Sequence, residues 1–239
     1  MRKTTILLLL VVLVSSCHFM GGRRVRGNGN LSSQTRSVGA FNSIRSQGHM
    51  DVIVSPGTDY SVKVEADENL LKYILTDKDG DALVIHTRNN YNLDPRAGMK
   101  VYITAPAIEG ISISGSGSVI SNGKLTANNK LEIHISGSGD VKLDVNAPEI
   151  TSEASGNSNV VLSGTTHNLS TEINGSGEVH CFNLLSENTK VEISGSGSAE
   201  VYASKQLEVH ISGSGDVAYK GTPAINQHIA GSGSVHSAP

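Results

Sequence analysis

Six ionisable side chains recur at one position of a repeated pattern and are the strongest candidates for chemistry. Each lies three residues before the first glycine of a short loop rich in glycine and serine: His134, Glu153, Glu172, Glu192, His210 and His228. If the repeats stack as strands about 4.8 Å apart, these residues form a ladder on one face. Adjacent like charges destabilise a sheet, so the Glu residues need an offsetting partner. We therefore treat the column as a candidate binding face for a cation or a basic partner, with a solvated face offset by Lys190 and water as the alternative.

The glycine-rich loops themselves could bind calcium or phosphate, but their residues fit a structural role better. Calcium requires six to eight oxygens, whereas only Asp140, Glu178 and Asp216 supply an acid three residues after the first glycine. A phosphate cradle requires a helix N-terminus, and these loops join strand patterns. We expect neither a metal site nor a cofactor, and we interpret the following glycines as structural corners: Gly115, Gly117, Gly137, Gly139, Gly175, Gly177, Gly195, Gly197, Gly213, Gly215, Gly231 and Gly233.

The sequence offers little for catalysis. Cys181 lies in an apolar column, which favours a packed thiol, and no Arg follows Arg96. The formal net charge of −3 does not favour a nucleic-acid partner. We therefore expect no catalytic residues and no enzyme activity. A carbohydrate-active β-helix enzyme, of the polysaccharide lyase or hydrolase kind, stays the alternative.

The loops repeat every 18–22 residues, a period typical of stacked solenoids. Apolar and polar residues alternate before each loop, as in Ile133 and Ile135, and a second apolar pair follows it, as in Val141 and Leu143. The pattern predicts an all-β, single-stranded parallel β-helix of about seven coils, right-handed by default. An antiparallel hairpin meander is the competing topology.

The N-terminus has the features of a bacterial lipoprotein signal. A basic start and a short apolar run in residues 1–17 lead to "LVSSC", which resembles a lipobox and predicts acylation of Cys17. Acyl chains on Cys17 would attach the protein to a membrane, most simply the outer membrane of a cell envelope, on its periplasmic or its exterior side. Residues 18–37 are rich in Gly, Asn and Ser and predict a flexible tether.

Residues 38–239 form the predicted solenoid, in two parts. Residues 38–105 form an atypical β-rich N-terminal cap with a short helix over 67–77, where Asp67 is the expected N-cap. Residues 106–239 form the repeat coils. The last coil has no following repeat, which makes it a candidate surface for a partner or for a second copy of the chain.

Several motifs in this order resemble one protein family. "FNSIRSQGHMDVIVSPG", "VEADENLLKYIL", "KVYITAP" and the serial "SGSG" corners are similar to the head GIN domain of putative auto-transporter adhesins, often found as predicted lipoproteins of Bacteroidetes. The resemblance runs from about residue 40 to the C-terminus and implies a β-solenoid outside the inner membrane, with a role in adhesion. It brings no functional residues with it. We therefore expect a non-catalytic envelope lipoprotein that binds or scaffolds, with an envelope protein or a polysaccharide as ligand.

Overall fold

A computed structural model describes residues 22–239, which form 21 strands and one 3-10 turn. The signal segment 1–17, the acylation site Cys17 and the first residues of the expected tether lie outside the described residues. None of the helical structure within residues 22–239 is long and apolar enough to cross a membrane.

The repeat coils each contain a strand before the Gly-Ser-Gly corner and a strand after it. These strands are β10 Gly110–Gly115, β11 Ser118–Thr126, β12 Lys130–Gly137, β13 Asp140–Asn146, β14 Glu149–Gly156, β15 Asn159–Gly175, β16 Glu178–Gly195, β17 Ser198–Tyr202, β18 Gln206–Gly213, β19 Asp216–Lys220, β20 Ala224–Gly231 and β21 Ser234–Ser237. Each strand pairs in parallel with the equivalent strand of the next coil, as β12 does with β14. The parallel β-solenoid is therefore confirmed, with about 6 turns, and the hairpin meander is excluded for these coils.

The core consists of apolar columns, because the same position of each coil points inward. Ile113, Ile135, Ile173 and Ile193 stack in one column and are almost fully buried. Each buried Ile or Val of this kind contributes about 1.5–3 kcal/mol relative to exposure. Cys181 is buried in the core, as predicted, and burial raises the pKa of its thiol to about 12. This thiol is therefore protonated and unreactive at neutral pH.

The corners differ in what they require of their two glycines. The first glycine has a positive φ, +130° at Gly175, and a Cβ added there would lie 2.6 Å from the carbonyl oxygen of Gly156. The second glycine has no positive φ, but a Cβ at Gly197 would lie 2.7 Å from the carbonyl oxygen of Gly177. The corner residues keep the inter-coil hydrogen bonds, such as the one from the Ser176 N–H to the Gly156 carbonyl at 3.0 Å. Glycine is therefore favoured where the backbone of one corner lies directly on the next, although Ser158 takes the second position in the corner that begins at Gly156.

The N-terminal part contains nine strands: β1 Arg23–Arg26, β2 Leu31–Arg36, β3 Ser43–Gly48, β4 Asp51–Pro56, β5 Ser61–Asp67, β6 Ile74–Asp79, β7 Ala82–Thr87, β8 Tyr91–Asp94 and β9 Met99–Ala105. Strands β3 and β4 form a coil with its own corner at Gly48, and they pair in parallel with β10 and β11. Antiparallel pairs, β5 with β9 and β6 with β7, close the end of the stack.

The helix predicted over residues 67–77 is wrong. Only Leu71–Tyr73 forms a 3-10 turn, and Ile74 begins strand β6. Leu70 and Ile74 are buried, as an amphipathic helix would also place them, but pairing of β6 with β7 satisfies more backbone groups at the end of the sheet. Asp67 is not a helix cap, since its carboxylate accepts backbone hydrogen bonds from Gly29, Arg96 and Ala97.

The segment expected to be a flexible tether forms two strands instead. Strand β1 pairs in parallel with β8, and strand β2 pairs antiparallel with β5. Most side chains of these strands are exposed, so no apolar periodicity marks them in the sequence. Backbone pairing, together with the hydrogen bond from the Gly29 N–H to Asp67, holds this segment on the cap.

The last coil is the exposed end of the stack. Strands β20 and β21 pair only with β18 and β19 among the described residues. Ile225 keeps 43 % of its surface exposed, although its column is buried in the coils before it.

Candidate functional site

The six candidate residues of the ladder fall in one continuous column. The strand register pairs His134 with Glu153, Glu153 with Glu172, and Glu172 with Glu192. It continues from Glu192 to His210 and from His210 to His228. The repeat positions these side chains because each coil has the same number of residues between the ladder position and the corner.

Each acid of this column has a polar or charged partner beside it. The Nδ1 atom of His134 lies 3.0 Å from Oε2 of Glu153. The amide of Asn174 donates to Oε1 of Glu172 at 2.8 Å. The ammonium of Lys190 lies 2.7 Å from Oε1 of Glu192, and this hydrogen bond raises the pKa of Lys190. Side chains beside the like-charged ladder thus contribute to its stability.

The two histidines at the end of the column face a different environment. The Nε2 atom of His210 lies 2.8 Å from Oε1 of Glu208, in the neighbouring column. The rings of His210 and His228 are 6.2 Å apart between centroids. Within residues 22–239 no three His, Cys, Asp or Glu side chains converge as metal ligands would. The column therefore presents a paired, polar and open face.

A second ionisable group, on the strands after the corner, was not singled out from the sequence. His180 lies between Glu200, 2.8 Å from its Nδ1 atom, and Glu178, 3.3 Å from its Nε2 atom. The hydrogen bond with Glu200 raises the pKa of His180, burial lowers it, and Glu178 raises it again, so that the pKa stays above its ordinary value. The signal that could have revealed this group is the pairing of His180 with Glu200 in equivalent positions of successive repeats.

A groove also runs along the edge opposite the corners, where the chain passes from one coil to the next. Its volume is about 590 Å³. Its floor consists of small buried residues, one from each of five coils: Ala127, Ala147, Thr166, Ser186 and Ala203. One rim consists of Thr126, Asn146, Thr165, Leu185 and Tyr202. The other rim consists of Asn128, Pro148, His167, Glu187 and Ser204.

Sequence reasoning missed this groove because it lies in the segment whose length varies between repeats. Alignment of the corners does not bring these residues into one column. The available signal was the small residue between two outward-facing ones in each loop, such as Ala147 between Asn146 and Pro148.

The fold and its surfaces define a class of protein. A stacked parallel β-solenoid with a paired polar face and a lateral groove is a repeat protein, in which equivalent positions of successive coils form continuous surfaces. Residues 40–223 match the family described as "putative auto-transporter adhesin, head GIN domain". The chain belongs to this family, as the sequence motifs implied.

Solved structures with the same architecture come from related bacteria. A putative adhesin from Bacteroides fragilis has a TM-score of 0.85 and 22% identity, covering 90% of this chain and 100% of its own. A protein described as a putative lipid binding protein, from Parabacteroides distasonis, has a TM-score of 0.77 and 26% identity, covering 91% of this chain and 100% of its own. A putative adhesin from Parabacteroides distasonis has a TM-score of 0.72 and 25% identity, covering 90% of this chain and 100% of its own. No curated protein matches the sequence.

Proposed function

We propose that the protein is a non-catalytic adhesion module, held at the bacterial cell envelope by acyl chains on Cys17. The observation that carries this proposal is the stack itself. It aligns outward-facing side chains from successive coils into extended, rigid surfaces, such as the column from His134 to His228. Membership of a family of putative adhesins supports it. Pre-formed surfaces of this kind bind without the cost of ordering flexible segments.

The geometry favours binding over catalysis at this face. A glycoside hydrolase requires two carboxyl groups that flank one substrate bond, and a lyase requires a base and an acid that converge on it. Glu172 and Glu192 instead lie side by side on an open strand face, each held by its own neighbour. A carbohydrate-active enzyme stays the alternative proposal, since β-solenoids can also carry such sites.

Incubation with polysaccharides separates the two functions. The mature protein would be mixed with a panel of acidic and neutral envelope polysaccharides, followed by assays for retention and for new reducing ends. We expect retention without cleavage. Release of shortened products would establish the enzyme, and the absence of retention on every polysaccharide would remove the carbohydrate-adhesion role.

The anchor has its own test with a matched control. A Cys17→Ser variant should leave the membrane fraction, because the acylated thiol is lost. A Cys181→Ala variant should stay in that fraction, since its thiol is buried in the core. Equal partition of both variants would contradict the lipid anchor. Protease treatment of intact cells would show on which side of the membrane the solenoid lies.

A further inference from the structure

The groove opposite the corners is a surface that the adhesion proposal does not yet explain. Two or three residues from each of five coils line it, so it extends along the stack for about 19 Å at about 4.8 Å per coil. Its volume of about 590 Å³ falls within the range of small-molecule sites. An elongated groove of this shape fits an elongated ligand.

The polar groups of the floor are satisfied within the protein. The hydroxyl of Thr166 donates to the carbonyls of Pro148 and Asn168, at 3.2 and 3.0 Å. The hydroxyl of Ser186 contacts the hydroxyl of Thr189 at 2.6 Å and the carbonyl of Tyr202. The floor is therefore a compact, closed surface, and recognition falls to the rims.

The rims present unpaired amide and hydroxyl groups. Among residues 22–239, the side-chain amide of Asn128 and the hydroxyl of Tyr202 have no hydrogen-bond partner, and Asn146 uses only its oxygen, which accepts from Thr165 at 3.0 Å. The side chain of Leu185, on the same rim as Asn146 and Tyr202, is exposed at 52 % of its surface. The groove thus offers both hydrogen-bonding groups and apolar surface, which suit a sugar ring with hydroxyls at its edge and C–H groups on its faces.

The charges of the groove compensate one another. The carboxylate of Glu187 lies 2.6 Å from the ammonium of Lys205 and 3.5 Å from Nδ1 of His167. Within the described part of the chain, no unpaired cation lines the groove that would neutralise an acidic polymer. A neutral ligand is therefore favoured over an acidic polysaccharide.

The backbone of the groove has no free strand edge for a peptide. Backbone N–H groups of the groove donate to backbone carbonyls of the next or preceding coil. The distances are 3.2 Å from Ala127 to Asn146, 3.3 Å from Ala147 to Thr165, and 3.1 Å from Ser204 to Ser186. A peptide that adds to a sheet needs such groups unpaired. Side-chain recognition of a hydroxyl-rich chain does not.

We propose that this groove binds a linear, neutral oligosaccharide that lies along the stack, with about one sugar for each coil. The inference rests on the proposed adhesion function, and it names the ligand class and the residues that contact it. Asn128, Asn146 and Tyr202 hydrogen-bond the sugar hydroxyls, while Leu185 and the Tyr202 ring contact the C–H faces.

Calorimetric titration tests the proposal. The mature protein would be titrated with gluco-, xylo-, manno-, malto- and chito-oligosaccharides of two to seven sugars. We expect saturable binding to at least one series, with affinity that rises with each sugar up to about five and then stays constant. Asn146→Ala and Tyr202→Ala should each weaken that binding at least tenfold. The control Asp140→Asn, at an exposed position on the corner edge, should bind as the unmodified protein does.

Several outcomes would overturn the proposal. They are no saturable binding to any series, affinity independent of length, or groove variants that bind as well as the unmodified protein. Stronger binding of an acidic oligosaccharide, an extended peptide or a fatty acid to the groove would do the same. If the protein is still retained on envelope polysaccharides in such a case, the adhesion function stands and only the groove assignment fails.

Discussion

The two long edges of the solenoid carry opposite kinds of sequence. The corner edge repeats Gly-Ser-Gly at a constant length, and its backbone groups pair from coil to coil. The groove edge varies in length and composition between repeats, and its rims expose amides, hydroxyls and an apolar side chain. The comparison teaches that the repeated motif serves the stacking, while the irregular segments hold the surface suited to a ligand.

The largest expected difference between the edges comes from single-residue insertions. A glycine inserted after Ser176, in a corner, shifts the register and turns the following side chains to the opposite face. A glycine inserted after Asn128, in the segment that joins β11 to β12, only lengthens an outer segment. We expect the corner insertion to remove cooperative urea unfolding, and the loop insertion to cost less than about 1 kcal/mol. Similar losses for the two insertions would break the comparison.

A Cβ in an interior corner should have the next largest effect. Gly175→Ala combines a positive φ with a contact between the new Cβ and the Gly156 carbonyl, so we expect a loss of about 3–5 kcal/mol in unfolding free energy. Gly48→Ala is the matched control, because its φ is +103° but nothing lies within 4 Å of the added atom. That variant should lose only about 1–2 kcal/mol, the cost of the backbone conformation alone. Equal losses would show that corner stacking is not what requires glycine.

The N-terminal cap belongs to neither edge, and hydrogen bonds to the Asp67 carboxylate stabilise it separately. Asp67→Asn replaces one acceptor oxygen with an NH₂ group, so that at least one of the three backbone N–H groups loses its acceptor. We expect the free energy of unfolding to fall by about 2–3 kcal/mol. Asp59→Asn, at an exposed position, is the control and should change little. Chemical denaturation measures both.

The same carboxylate predicts a pH dependence. Burial raises the pKa of Asp67, whereas hydrogen bonds from the backbone N–H groups of Ala97, Arg96 and Gly29 lower it. The lowering prevails, so the pKa of Asp67 in the folded state is below the ordinary 3.8. Its contribution to stability is complete above that ordinary value and is lost as the pH falls through the folded-state pKa. Acid titration of stability should therefore be steeper for the unmodified protein than for Asp67→Asn. Parallel curves would contradict this.

The smallest effect concerns His180, on the strand face between the edges. Its raised pKa means that its contribution is complete below pH 6.5 and is lost as the pH rises through the folded-state value. Because the contact between His180 and Glu200 is partly exposed, we expect the free energy of unfolding to fall by about 0.5 kcal/mol or less over this pH range. Stability measured between pH 5.5 and 8.5 should change less in His180→Gln. An equal slope in the variant would show that His180 is not its source.

Much of the repeat region was predictable because its signals are local and recur. The alternation around Ile135 and Val141 and the constant corner length favour parallel stacking over a hairpin meander, and the stack then aligns His134 with Glu153. The cap was harder to predict. The pattern of Leu70, Leu71 and Ile74 suits a helix as well as a strand end, and only the antiparallel partner β7 decides between them.

Two further features depend on contacts that a sequence pattern does not contain. Strands β1 and β2 are fixed by backbone pairing and by Asp67, so their exposed side chains gave no periodicity. The groove forms because Ala127, Ala147 and Thr166 come together from loops of unequal length. Because neither strands β1 and β2 nor the groove residues recur at a constant distance from the corners, alignment of the corners does not reveal them.

One paired binding measurement tests the central claim, that the corners support the fold and the groove binds. Ser138, Ser176 and Ser214, each between the two glycines of its corner, would be changed to Ala together in one variant, and Asn146 and Tyr202 together in another. Both would be titrated with the neutral oligosaccharide series described above, after a check that their melting temperatures match that of the unmodified protein. The account predicts unchanged affinity for the corner variant and at least a tenfold loss for the groove variant. Loss of affinity in the corner variant, with binding intact in the groove variant, would contradict it.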